Sequence, residues 1–89
     1  MVEAREKKTV LYTKEEIIAT DKSLQYWAGV LPEGMFVQTH RSFLVNLEYV
    51  AKFDHETVYL KEAGLSAFLT KRKYGNFKKE FQIYLGLQG

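Results

Sequence analysis

Residues Phe36-Val37-Gln38-Thr39-His40-Arg41-Ser42-Phe43-Leu44-Val45-Asn46-Leu47 set a polar, cationic tetrad, Thr39 to Ser42, between two apolar runs. A core strand rarely interrupts itself that way, because burying a guanidinium without a partner is costly. The tetrad is therefore expected at a strand end or tight corner, anchored from below by Phe43, Leu44 and Val45. Such a corner presents Arg41 to something outside the protein. The local alternative is that Arg41 pairs with a nearby carboxylate while His40 caps a backbone carbonyl, and this segment alone leaves both open.

Two further cationic groups stand apart in the chain. Lys71-Arg72-Lys73 opens the last helical pattern, at the end where the helix macrodipole is positive and cations are disfavoured. Three consecutive bases there point to an external anion that completes the site, as phosphate does at helix N-termini. The competing reading is a solvated basic turn balanced by Glu62 or Glu48. Arg5, Lys7 and Lys8 precede the first long strand and read equally well as a frayed polar terminus. Net charge is only +2, but no Asp or Glu lies between Glu62 and Glu80, an interval holding Lys71, Arg72, Lys73, Lys78 and Lys79. A near-neutral chain with charge sorted in this way can carry a cationic face.

Catalytic chemistry finds little footing. With two His and no Cys, a standard zinc site would have to be dominated by carboxylates. His40 and His55 are not at i, i+4 spacing. Ser42 and His40 resemble a nucleophile and base only in composition, with no acid placed to orient the imidazole. No glycine-rich phosphate loop occurs. No enzyme activity, cofactor or metal is expected. The absence of Cys fits a reducing interior, no run of eighteen apolar residues is present, and Met1 to Arg5 has no apolar segment of signal-peptide type, so the expected location is cytoplasmic and away from membranes.

Eighty-nine residues suffice for one small domain, and six Phe, six Tyr and one Trp supply much of its core. Thr9 to Thr13 reads as a strand, Lys14 to Glu16 as a turn, and Ile17 to Thr20 as the hairpin partner. Asp21 can cap a helix starting at Lys22, with Leu24, Trp27, Ala28 and Leu31 on its buried face and Pro32 and Gly34 ending it. Met35 to Thr39 is a short strand, and Ser42 to Asn46 a tight turn or 3₁₀ piece in which Asn46 bonds its own backbone. His40 holds the corner through a backbone hydrogen bond. Tyr49 to Phe53 and Thr57 to Lys61 are strands around the turn Asp54 to Glu56. Glu62-Ala63-Gly64 is a hairpin loop in which Gly needs positive φ. Leu65, Ala67 and Leu69 alternate with Ser66, Phe68 and Thr70 as a half-buried strand. Tyr74, Phe77, Phe81 and Tyr84 share one face of the last helix. Phe68, Tyr84 and Trp27 are assigned to the core rather than to stacking surfaces. The fold class is mostly β with two short helices.

The run from Phe36 to Leu47 resembles the F-x-x-x-H-R-S-[FY]-x-V-N signature of the LytTR DNA-binding domain. Val2-Glu3-Ala4 is similar to the end of that family's early strand, Lys22-Ser23-Leu24 to its K-S-L helix start, and Thr70-Lys71-Arg72 to its S-R-R turn, with Thr for Ser. The resemblance spans Val2 to Leu85. It implies a fold of ten short strands in stacked sheets, here truncated at the first strand. Residues 1–89 form one such domain, and a phosphoaccepting receiver is expected upstream.

The resemblance further implies sequence-specific binding of double-stranded DNA at direct repeats, through loops entering the major groove, as the output domain of a bacterial two-component response regulator. DNA-contacting positions then fall at Lys7 or Lys8, Arg41 and Arg72. Arg72 would read guanine through O6 and N7, and Arg41 would contact phosphate or a nearby base. Lys7, Lys8, Lys71 and Lys73 would contact phosphates, and His40 and Ser42 would orient the corner. The isolated domain is expected to be a monomer that dimerises on DNA or through the upstream domain. The alternative is a basic protein-interaction module that docks an acidic partner or accepts a strand at an open sheet edge.

Overall fold

The computed structural model describes residues 1–62 and 64–88. Two antiparallel sheets and two helices account for them. The strands are β1 (Val2–Ala4), β2 (Thr9–Tyr12), β3 (Ile17–Thr20), β4 (Phe36–His40), β5 (Phe43–Asn46), β6 (Val50–Phe53), β7 (Thr57–Leu60) and β8 (Ser66–Phe68). The helices are α1 (Leu24–Val30) and α2 (Lys71–Gln88), with a 3₁₀ turn at Leu47–Tyr49. The first sheet has the order β3-β2-β1-β5-β4 and the second β6-β7-β8. Eight strands are thus present among the described residues rather than ten. No helix among them is long and apolar enough to cross a membrane.

Alternation builds the core. Phe43 and Val45 point to one face of β5, where they meet Val37, Val58, Ala67, Leu69 and Phe77. Leu44 points to the opposite face and packs with Val2 and Leu24 under α1. A period of two therefore lets one strand serve two apolar layers. Phe77 is fully buried. It meets the Phe53 ring at 5.0 Å between centroids and stacks on Phe81 at 5.9 Å, fastening α2 against β4 of the first sheet and Phe53 of the second.

Several expectations shift. Ser42 to Asn46 is mostly strand, and the 3₁₀ turn begins one residue later, at Leu47. The apolar triplet Phe43-Leu44-Val45 favours ladder pairing over a turn. The first helix starts at Leu24, and Ser23, not Asp21, caps it by accepting from the Tyr26 N–H at 3.1 Å. Lys22 is held outside the helix, because its N–H donates to Thr20 Oγ1 at 3.2 Å. With only seven residues in α1, the apolar stripe is short, and Ala28 lies exposed beyond its rim. The last helix is eighteen residues long, not short. Gly64 takes φ +83° as its loop requires, while Ala63 lies outside the described residues.

Replacing Phe77 with Ala should destabilise the protein by about 3–5 kcal/mol in denaturant titration. A loss under about 1 kcal/mol would mean that α2 is not fastened through this ring.

Candidate nucleic-acid interface

The tetrad lies at a corner where β4 ends and β5 begins. Thr39 and His40 finish β4, and Arg41 and Ser42 make the turn. Gln38 pairs with Leu44 but His40 pairs with Phe43, so β4 carries one extra residue at Thr39. Such a bulge bends the strand and removes the extra residue from the ladder. Thr39 is itself fully buried, with no hydrogen-bond partner for its hydroxyl. Its carbonyl accepts from the Thr70 N–H at 3.0 Å.

That bond ties the start of α2 to the corner. Thr70 Oγ1 also accepts from the Lys73 N–H at 3.2 Å, which makes Thr70 the helix cap. The first helical turn contains no acid, and its exposed members are Lys71 and Arg72.

A second backbone bond ties in the third cationic segment. The Ala4 N–H donates to the Ser42 carbonyl at 2.8 Å, and the Arg5 N–H to the Lys8 carbonyl at 2.8 Å. Residues 5–8 therefore form a closed hairpin loop between β1 and β2 rather than a frayed terminus. Lys7, Lys8 and Arg41 line one groove together with Arg5 and Lys22.

His40 sets the turn. Its Nδ1 accepts from the Ser42 N–H at 3.0 Å, so the neutral ring carries its proton on Nε2. The imidazole holds a backbone N–H instead of capping a carbonyl. Asn46 Oδ1 accepts from the Glu48 N–H at 2.9 Å, closing the 3₁₀ turn below β5.

Charge pairing separates the cations. Among the described residues the one ion pair joins Arg5 Nε to Glu3 Oε1 at 3.4 Å. The Arg5 guanidinium also donates to the Tyr12 hydroxyl at 3.0 Å, and that hydroxyl donates to Glu3 at 2.8 Å. Tyr12 and Glu3 hold the Arg5 pKa above its usual range. Burial, then Glu3, pushes the Tyr12 phenol up. Arg5 is thus held by Glu3 and Tyr12 at the surface, still charged. Arg41, Lys71 and Arg72 form no ion pair with Glu62, Glu48 or any other described carboxylate.

Lys7, Lys8 and Arg41 are brought to one groove, and the Thr70–Thr39 bond sets the residue before Lys71 and Arg72 beside the corner that carries His40, Arg41 and Ser42. Lys73 is not among them. It is half-buried and borders a different groove with Glu33, Gln38 and Glu80. Two neighbours escaped the sequence reading. Lys22 lines the groove beside Arg41. Phe68, assigned to the core, is 63% exposed, although the alternation of Ala67 and Leu69 already placed it on the outer face.

The chain belongs to the LytTr DNA-binding domain family, whose pattern matches residues 1–82. It is 31% identical over 78 residues to the transcriptional regulatory protein NatR of Bacillus subtilis, covering 82% of this chain and 34% of NatR. It is 26% identical over 80 residues to the sensory transduction protein LytR of Staphylococcus epidermidis, covering 90% of this chain and 32% of LytR. The chain thus spans about a third of the length of these relatives. A solved LytTr DNA-binding domain from Bacillus cereus superposes with a TM-score of 0.74 at 29% identity, covering 89% of this chain and 76% of that one.

Replacing His40 with Ala should cost about 0.5–1.5 kcal/mol of stability and speed hydrogen exchange at the Ser42 amide more than at neighbouring amides. Unchanged exchange at Ser42 would show that the imidazole does not hold the turn.

Proposed function

We propose that this domain binds double-stranded DNA sequence-specifically and regulates transcription as the output domain of a bacterial two-component response regulator. One observation supports the reading above all. Two backbone hydrogen bonds, Ala4 N–H to the Ser42 carbonyl and Thr70 N–H to the Thr39 carbonyl, gather three cationic segments at one corner of a chain from a DNA-binding family. A polyanion of repeating phosphates is the natural complement of such a ridge.

In this reading the corner and the two flanking loops enter the major groove. Arg72 reads guanine bidentately through O6 and N7. Arg41 contacts phosphate or an adjacent base. Lys7, Lys8 and Lys71 contact phosphates and set the salt dependence, and His40 and Ser42 fix the backbone that carries Arg41. Lys73 would reach phosphate only from outside this cluster. A module this small covers few base pairs, so tandem copies on direct repeats supply the specificity. The domain alone is monomeric, dimerises on DNA or through an upstream domain, and acts in the cytoplasm.

Arg72→Ala should cost about 1–3 kcal/mol on the preferred duplex and relax the preference at one base pair. Equal losses on preferred and scrambled duplexes would remove its base-reading role. Lys8→Ala should weaken binding to all duplexes alike and reduce the salt slope of log K by about 1. An unchanged slope would take Lys8 off the phosphate path. Tight binding to acidic proteins without preference among duplexes would favour a protein-docking module instead.

A further inference from the structure

Phe68 is the most exposed Phe, Tyr or Trp among the described residues, at 63%. Its neighbours in sequence, Ala67 and Leu69, are buried. The ring is nonetheless held in place. It meets Phe43 edge-on at 5.8 Å between centroids and 79° between planes, and lies tilted against His40 at 6.0 Å and 51°. Phe43 is buried, and His40 is the residue that fixes the turn carrying Arg41. Phe68 also stands two residues before Thr70, whose N–H bonds the Thr39 carbonyl. A fixed apolar ring therefore stands at the corner, packed on the residue that precedes Arg41 and in the strand that leads to Lys71 and Arg72.

A lone exposed apolar side chain is ordinary on a protein surface. This one pairs across the sheet with Thr57, near the exposed Glu56, but its ring lies on the His40 that fixes the Arg41 turn, and its strand leads into the helix start that presents Lys71 and Arg72. A phenyl ring gains nothing from phosphate. In the major groove the apolar group within reach is the C5 methyl of thymine, and Phe is among the side chains that contact it. Being already clamped by two rings, Phe68 would lose little conformational freedom on binding.

We infer that Phe68 is a specificity-determining residue that contacts a thymine methyl in the bound duplex. This inference rests on the DNA-binding reading and adds an apolar element to it. It explains why an exposed ring stays packed on His40, between the Arg41 turn and the start of α2 in the fold's wiring, at a position that a polar residue would fill at less cost in exposed apolar surface.

The test uses the full chain and a duplex selected for binding, with each thymine in turn replaced by deoxyuridine, which deletes only the methyl. The unsubstituted protein should lose about fourfold in affinity at one position, the effect of one buried methyl. Phe68→Ala should lose about as much on the thymine duplex and nothing more on the uracil duplex at that position. Phe68→Gln, which keeps more bulk against Phe43, should also abolish the methyl effect and covers the case in which the Ala variant fails to fold. Insensitivity of the unsubstituted protein to every deoxyuridine would overturn the inference and leave DNA binding standing. So would independent, multiplying losses from Phe68→Ala and deoxyuridine, or a loss tied to duplex bending rather than to any methyl. Failure to prefer any duplex over scrambled sequence would overturn both readings.

Discussion

At Thr39 the β4 strand carries one residue more than β5, and the Thr39 carbonyl accepts from the Thr70 N–H. The bulge takes Thr39 out of the β4–β5 pairing, and its carbonyl gives α2 a backbone anchor at the corner. The bond joins residues 31 positions apart in the chain, from 39 to 70. On the other side, the Ala4 N–H extends the β1–β5 pairing as far as Ser42. The corner is thus a junction of three segments fixed by main-chain bonds, and these restrain the backbones that carry the cations.

The charges divide into those with a partner inside the chain and those without a described carboxylate partner. Arg5 is engaged by Glu3 and Tyr12, which ties the root of the hairpin loop to β1 and β2. Lys7 and Lys8, further along the loop, remain exposed, as do Arg41, Lys71 and Arg72. A basic first turn without acids works against the helix macrodipole. Helix α2 tolerates it because Thr70 caps the turn and Phe77 is buried in the core. Packing can readily offset a macrodipole penalty of some tenths of a kcal/mol per cation.

Much of this was legible in the sequence because it depends on local pattern. The polar break from Thr39 to Ser42 marked the corner, and the alternation of Leu65, Ala67 and Leu69 marked β8. Asn46 and His40 were correctly read as backbone holders, although His40 accepts from an N–H rather than donating to a carbonyl. Other features were hidden because pairing between distant segments decides them. The bulge at Thr39 has no residue signature. The choice of Ser23 over Asp21 as cap depends on Thr20 engaging the Lys22 N–H. Lys73 looked equivalent to Lys71 and Arg72, but the helical rotation of 100° per residue carries it towards Glu33 and Glu80. Phe68 was assigned to the core from its residue type, although its place in the strand pattern pointed outward.

On the proposed DNA-binding reading, the hairpin loop, the corner and the start of α2 act as one surface towards the duplex. Backbone amide chemical shifts, followed while a preferred duplex is added, measure this most directly. The expected result is one joined footprint over Lys7, Lys8, Arg41, Ser42, Lys71 and Arg72, moving together with a single dissociation constant. Shifts confined to one of the three segments, or centred on β3 or the far end of α2, would contradict it.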